Sequence, residues 1–306
     1  MHPHTLAETD NILVLGAGEL GMAVLRELAA QPTARVTVML RPSSLGTTSE
    51  GKRQTLKELN TLGIEVVSAD AVNDSEEQLA TLFSGFDTLV SCLGFAAGTG
   101  IQLKLARAVM QSDVKRYVPW QFGVDYDVIG RGSPQNLFDE QLDVRQLLRG
   151  QSRVQWLIIS TGMFTSFLFE PAFGVVDLDQ NIVRALGSWD TAVTVTTPED
   201  IGRLTASILF EPEQVNRVVF TAGDTLTYRQ LADTVDQLLN RKVERVEWTV
   251  PALKADLAAA PDDSIRKYRA VFAEGKGVAW AKADSYNVER QIETTTIGQW
   301  IEQHLL

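Results

Sequence analysis

Gly16-Ala17-Gly18-Glu19-Leu20-Gly21 has the residue types and spacing that bring a polypeptide backbone against a phosphate. The motif lies between a β-branched run at 12–15 and a stretch in which Gly21, Val24, Leu25 and Leu28 follow helical i, i+3, i+4, i+7 spacing. Gly16 suits the tight turn, and Gly18 allows a pyrophosphate to approach the chain. Gly21 lets the helix lie close to the strand, and the helix N-terminus favours the anion. Glu19 and Leu20 belong to the same candidate dinucleotide site. The alternative is a purely structural turn.

The second run, 36–40, ends in Arg41, with Ser43, Ser44, Lys52 and Arg53 close behind and no acid before Glu50. A site for an unphosphorylated ribose usually places Asp or Glu about 20 residues beyond the glycines. A guanidinium suits a 2′-phosphate instead, so these residues point to NADP(H). The alternative is that Arg41 is only a solvated strand end. Ser91-Cys92-Leu93-Gly94 closes the fourth run and is expected to line the cofactor. No base is paired with Cys92 in the sequence, which makes it a small wall residue rather than a nucleophile.

Other chemistry is excluded by what is missing. The three histidines, His2, His4 and His304, all lie near a terminus, where an imidazole is poorly held for a catalytic relay. One cysteine and no internal histidine leave no ordinary zinc site, and no metal is expected. A net charge of −11 makes nucleic acid and anionic lipid poor partners. No window nears the ~18 apolar residues that read as a membrane span, and residues 1–10 lack a signal-peptide core. The lone cysteine fits a reducing cytoplasm.

These residues need a frame. Apolar runs at 12–15, 36–40, 64–67, 88–90, 116–118 and 156–159 alternate with amphipathic stretches, as strands buried on both faces of a parallel sheet should. The fold class is therefore α/β, a Rossmann-type doubly wound sheet. At about 150 residues per domain, 306 residues suggest two. A dinucleotide-binding domain is expected over 1–160, and a smaller α+β substrate region over 161–306, with segments that interleave. Thr197-Pro198-Glu199-Asp200 and Thr227 mark helix starts in the second part. The polar segment 123–136 is expected to be a mobile flap over substrate.

The glycine motif, the Arg41 strand end, Val114-Lys115-Arg116-Tyr117-Val118-Pro119, Gln121-Phe122-Gly123 and Glu199-Asp200-Ile201-Gly202 together resemble the atypical short-chain dehydrogenases. Within these, the chain is most similar to the NmrA-like branch that contains isoflavone and phenylcoumaran benzylic ether reductases. The usual Tyr-x-x-x-Lys relay is absent: Gln121, Gly130, Ala232, Phe272 and Arg290 stand four after the five tyrosines. The resemblance implies an NADPH-dependent, flavin-free reductase of small aromatic, often phenylpropanoid, compounds, monomeric or homodimeric. It places Gln121 and Phe122 at the cofactor, with Phe122 near the nicotinamide. Trp120, Gly162, Met163, Phe164 and Phe167 would border the substrate, although ordinary core packing would equally explain much of the phenylalanine cluster.

The plant reductases usually read Pro-Ser-Glu-Phe-Gly where this chain has Pro119-Trp120-Gln121-Phe122-Gly123, and carry a catalytic lysine in the next helix. Matching Phe138-Asp139-Glu140-Gln141 to that pattern puts Gln141 at the lysine position, either as a substrate contact or as a structural hydrogen bond. Tyr126, an adjacent acid such as Asp125, or water remains as proton donor. The competing class is a non-catalytic NmrA-like regulator that senses NADP(H) through a protein partner.

Overall fold

The computed structural model describes residues 9–46 and 48–306. His2 and His4 lie outside them, as does most of the 1–10 segment. All six expected strands form: β1 (Asp10–Leu15), β2 (Ala34–Leu40), β3 (Glu65–Ser68), β4 (Thr88–Ser91), β5 (Arg116–Val118) and β6 (Gln155–Ser160). Later strands are β7 (Met163–Phe164), β8 (Val176–Asp177), β9 (Ile182–Leu186), β10 (Ala192–Thr196), β11 (Arg217–Phe220), β12 (Asp224–Thr227) and β13 (Glu244–Trp248). The main sheet runs β11-β6-β5-β4-β1-β2-β3, and every pairing from β6 to β3 is parallel. The chain reverses direction across the sheet between β1 and β4. This is the point at which doubly wound sheets open a crevice beyond the strands' carboxyl ends.

The chain divides into two compact units, one formed by 1–120, 143–158 and 201–218 and the other by 121–142, 159–200 and 219–306. In the first, β1 sits centrally, with Ile12, Leu13, Val14 and Leu15 wholly buried. Val14 lies in register with Val38 on one side and Val90 on the other. Helix α1 (Glu19–Ala29) turns Gly21, Val24, Leu25 and Leu28 inward, the stripe its spacing predicts, and Leu20 with them. Four further helices alternate with the strands: α2 (Pro42–Leu45), α3 (Glu50–Thr61), α4 (Glu76–Phe83) and α5 (Ile101–Gln111). One expectation fails at β3. Its residues are mostly exposed, Val66 at 39%, because β3 ends the sheet and has only β2 beside it.

Helices α6 (Tyr126–Ile129), α7 (Leu137–Arg149), α8 (Pro198–Leu209), α9 (Tyr228–Leu238), α10 (Val250–Ala259), α11 (Ser264–Ala273), α12 (Tyr286–Glu289) and α13 (Ile297–Leu305) complete the chain. The helix starts read from the second half are present. Thr197 Oγ1 accepts from Asp200 N at 3.2 Å, and Thr227 forms a reciprocal capping box with Gln230 on α9. Gly202 on α8 meets α1 backbone to backbone: a Cβ there would stand 2.5 Å from the Ala23 carbonyl oxygen.

The second unit holds two small sheets, β12-β10-β7 and β13-β9-β8. Gly162 has φ +74°, and a Cβ on it would lie 2.1 Å from the Thr194 carbonyl oxygen. A side chain is therefore excluded where the strand after β6 runs beside β10. Phe167 stacks on Phe173 at 4.6 Å and meets Tyr268 edge-on at 6.0 Å, while Phe169 stacks on Trp300 at 4.6 Å. Much of the phenylalanine cluster is thus committed to packing.

The 123–136 segment, expected to be a polar flap, is partly buried and anchored at its start. Val124, Tyr126, Ile129 and Gln135 are buried. The Gly123 carbonyl accepts from the Thr161 and Gly162 amides at 3.0 Å each, and Asp125 N donates to Gly277 O at 2.8 Å. Asp125 also caps α6 through its side chain. Backbone bonds to distant parts of the chain anchor residues 123–125, and such bonds leave no trace in composition.

Candidate dinucleotide site

At the carboxyl ends of β1, β2, β3 and β4 the first unit opens a cleft of about 350 Å³. Gly16, Ala17 and Gly18 form one wall, Cys92, Leu93, Gly94 and Ala97 another, and Arg41, Ser44 and Lys52 border the cleft as well. Gly16 takes φ +91°, the left-handed conformation that a turn from β1 into α1 needs. Gly18 is the N-cap of α1 and offers no side-chain cap, so the first N–H groups of the helix keep no partner from this residue. No atom lies within 4 Å of the place where a Gly18 Cβ would stand. An open space beside uncapped helix amides fits a pyrophosphate.

Cationic groups border the same cleft at Arg41 and Lys52. Arg41 is exposed and N-caps α2, and Lys52 lies in the first turn of α3. Glu50, the first acid after β2, is tied to Arg53 at 2.6 Å. Asp70 also lines the cleft, but its carboxylate accepts from Asn73 Nδ2 at 2.8 Å and Val72 N at 2.9 Å. These bonds hold its carboxyl below the ordinary aspartate range. The donor set fits a phosphorylated ribose better than a bare diol.

The cleft omits some expected residues and includes others that were not foreseen. Glu19, Leu20 and Gly21 are not among its lining side chains, and Leu20 is buried inward. Gly21 instead admits the Gly16 backbone, with a Cβ position 2.3 Å from the Gly16 oxygen. Ser91 is wholly buried behind the wall, its hydroxyl without a partner. Met39, Thr55, Leu56 and the 69–72 turn join the lining. The rule that ligands sit beyond strand carboxyl ends points to the turn after β3, although no residue type there signals it. Gln102, also unforeseen, donates to Leu93 O at 2.7 Å and fixes the loop after β4.

Burial pushes the Cys92 thiol up to about 12. At pH 8 it is therefore almost wholly protonated, and labelling with iodoacetamide should be far slower than for a free thiol until the protein is unfolded. Fast native-state labelling would show that the thiol is activated. Trp120 packs on this region too, with its ring 3.0 Å from the Gly94 Cβ position and edge-on to Phe95 at 4.5 Å.

In the second unit, Gln121 is wholly buried and donates through Nε2 to the Gln141 carbonyl oxygen at 2.9 Å. Phe122 is buried, as is Tyr126, which meets Phe138 edge-on at 5.0 Å. Met163 and Phe164 form β7 and pair with Val195 and Thr196 of β10. Gln141 lies on α7, and both ends of its carboxamide lack a hydrogen-bond partner. Among the described residues no acid, cysteine and histidine cluster suits a metal ion, and no helix is long and apolar enough to cross a membrane.

Known proteins match this chain over most of its length. An NmrA-like family domain-containing oxidoreductase of Gibberella moniliformis is 47% identical over 299 residues, covering 96% of this chain and 98% of the relative. The solved structure of an isoflavone reductase superposes with a TM-score of 0.81 at 18% identity, covering 96% of this chain and 99% of that one. AtPrR2, solved with NADP⁺ and (+)-pinoresinol, gives a TM-score of 0.78 at 18% identity over 97% and 99% of the two chains. The model of the NmrA-like family matches residues 8–295, and the chain belongs to that family.

Proposed function

We propose that this protein is an NADPH-dependent, flavin-free oxidoreductase that reduces a small aromatic electrophile. The carrying observation is the cleft that joins Gly18 and the N-terminus of α1 to Arg41, Ser44 and Lys52. The relative in Gibberella moniliformis bears the name oxidoreductase, and AtPrR2 was solved with NADP⁺ and an aromatic ligand. Bound in the cleft, the cofactor would supply hydride. The chain's own part is to hold the phosphates at the α1 amides and at Arg41, and to orient and dry the reacting end. In this reading the second unit carries the substrate region, with Phe122, Met163 and Phe164 beside the acceptor. Gln141 orients a substrate oxygen, because a carboxamide does not titrate near neutral pH and so moves no proton as a lysine can. The acceptor is accordingly one already electrophilic, such as a quinone methide, an enone or an aromatic carbonyl.

Steady oxidation of NADPH by such acceptors tests the reading. Tight NADPH binding with no turnover across quinones, enones and aryl aldehydes would replace it with a sensor that acts through a protein partner. Arg41→Ala should weaken NADPH binding about tenfold or more, since one charge-assisted hydrogen bond is worth roughly 1.5–3 kcal/mol. NADH affinity should hardly change. Titration of cofactor fluorescence with both dinucleotides checks this, and equal losses for the two would remove Arg41 from the phosphate.

A further inference from the structure

Gln141 is wholly buried, and neither Nε2 nor Oε1 of its carboxamide has a partner. Its backbone carbonyl already accepts from Gln121, so only the side chain is left unmatched. In the same unit Gln135 Nε2 and the hydroxyls of Thr161 and Thr165 are buried and unmatched as well. A buried amide without partners is unfavourable enough that folded chains keep few of them. Phe138, Val144 and Leu148 share the buried stripe of α7 with Arg145.

We propose that Gln141 is a specificity-determining residue whose carboxamide pairs with a neutral ligand edge carrying a donor and an acceptor side by side. A lactam, or an enol next to a carbonyl, has that edge. This rests on reading the second unit as the substrate-binding part of an NADPH-dependent reductase. Nε2 donates to the ligand carbonyl while Oε1 accepts from the adjacent N–H or O–H. Among the enones and aromatic carbonyls of the proposed reaction, those with an O–H or N–H beside the carbonyl are therefore preferred; an acceptor alone leaves Oε1 unmatched, and a carboxylate sets a second acceptor against it. Sites built to hydrogen-bond a ligand N–H or O–H reject analogues that lack it, because the protein group is then stranded. Phe138, the i−3 neighbour of Gln141 on the same helix, is an aromatic ring edge-on to Tyr126 and Tyr268 at 5.0 and 6.0 Å. The matching ligand is therefore planar and aromatic apart from its polar edge. Solvent does not reach the amide in the ligand-free chain, so entry displaces the side chains that cover it.

The test measures dissociation constants of 2-quinolone, N-methyl-2-quinolone and quinoline-2-carboxylate by calorimetry, on the full chain saturated with NADP⁺. Wild type should bind the lactam at least tenfold more tightly than either of the others. Gln141→Leu should erase that difference, leave NADP⁺ affinity unchanged and raise the melting temperature. Gln141→Met repeats the experiment should the leucine variant not fold. Equal affinities, as an ordered water alone at Gln141 would give, overturn the proposal. So do a preference for the carboxylate, no binding of either quinolone, or a lactam preference that survives in Gln141→Leu. Failure of the reductase reading would look different: no acceptor would oxidise NADPH, while the Gln141-dependent lactam preference remained.

Discussion

Gly18→Val should abolish NADPH binding in a protein that still folds. The backbone of Gly18 is extended, at φ −74° and ψ −168°, which valine adopts without strain. No protein atom lies within 4 Å of the new Cβ, so the folded chain has room for the branched side chain. Valine is a poorer helix N-cap than glycine, and the variant should lose about 1 kcal/mol of stability on that account. The methyl groups, however, would project where the α1 amides meet the pyrophosphate. A ligand forced away by a methyl group's width loses those hydrogen bonds together, and the affinity should fall by more than about a hundredfold. Fluorescence titration with NADPH measures the binding, and a cooperative thermal melt establishes the fold. Undiminished binding in a folded Gly18→Val protein would mean that the glycines serve only the turn.

The parts of this protein that are legible in its sequence are those governed by local rules. β1, β2 and the glycine turn between β1 and α1 follow from apolar runs and from a spacing that few other structures need. Arg41 at the end of β2 is legible for the same reason, since its position in the fold follows from counting along one strand–helix–strand unit. What depends on neighbours distant in sequence is less visible. Val66 and Val67 read as a buried strand, yet sheet order puts β3 at an edge. The 123–136 segment is rich in polar residues, but the bonds that anchor its first residues run to Thr161, Gly162 and Gly277. The 69–72 turn lines the cleft by its position after β3 rather than by side-chain type. Gly162 reads in the sequence as a pocket wall, and its φ and the nearness of Thr194 add a conformational reason for glycine.

Gly21→Val should act through stability, in contrast to its neighbour in the motif. A Cβ at Gly21 would stand 2.3 Å from the Gly16 carbonyl oxygen, 2.9 Å from the carbonyl carbon and 3.5 Å from Cys92 Cβ. The first two contacts are with backbone, so no change of rotamer relieves them; α1 must move away from the end of β1 or the turn must reshape. α1 is poorly placed to move, because its inner face carries Val24, Leu25 and Leu28, all wholly buried. On its α8 side, the Ala23 backbone already touches Gly202. Overpacking of a filled core typically costs about 1–3 kcal/mol, and a clash with fixed backbone belongs at the upper end or beyond. We expect Gly21→Val to lower the unfolding free energy by about 3 kcal/mol or more, read from the urea midpoint at unchanged m-value. Binding of NADPH should weaken as well, since the turn that shapes the cleft is displaced. The pair therefore separates two roles within one motif: Gly18→Val lowers the midpoint only by its weaker cap and loses the ligand, whereas Gly21→Val loses the midpoint first. A Gly21→Val protein with wild-type stability would show that α1 can shift at little cost, and the close helix–strand approach would then no longer explain the third glycine.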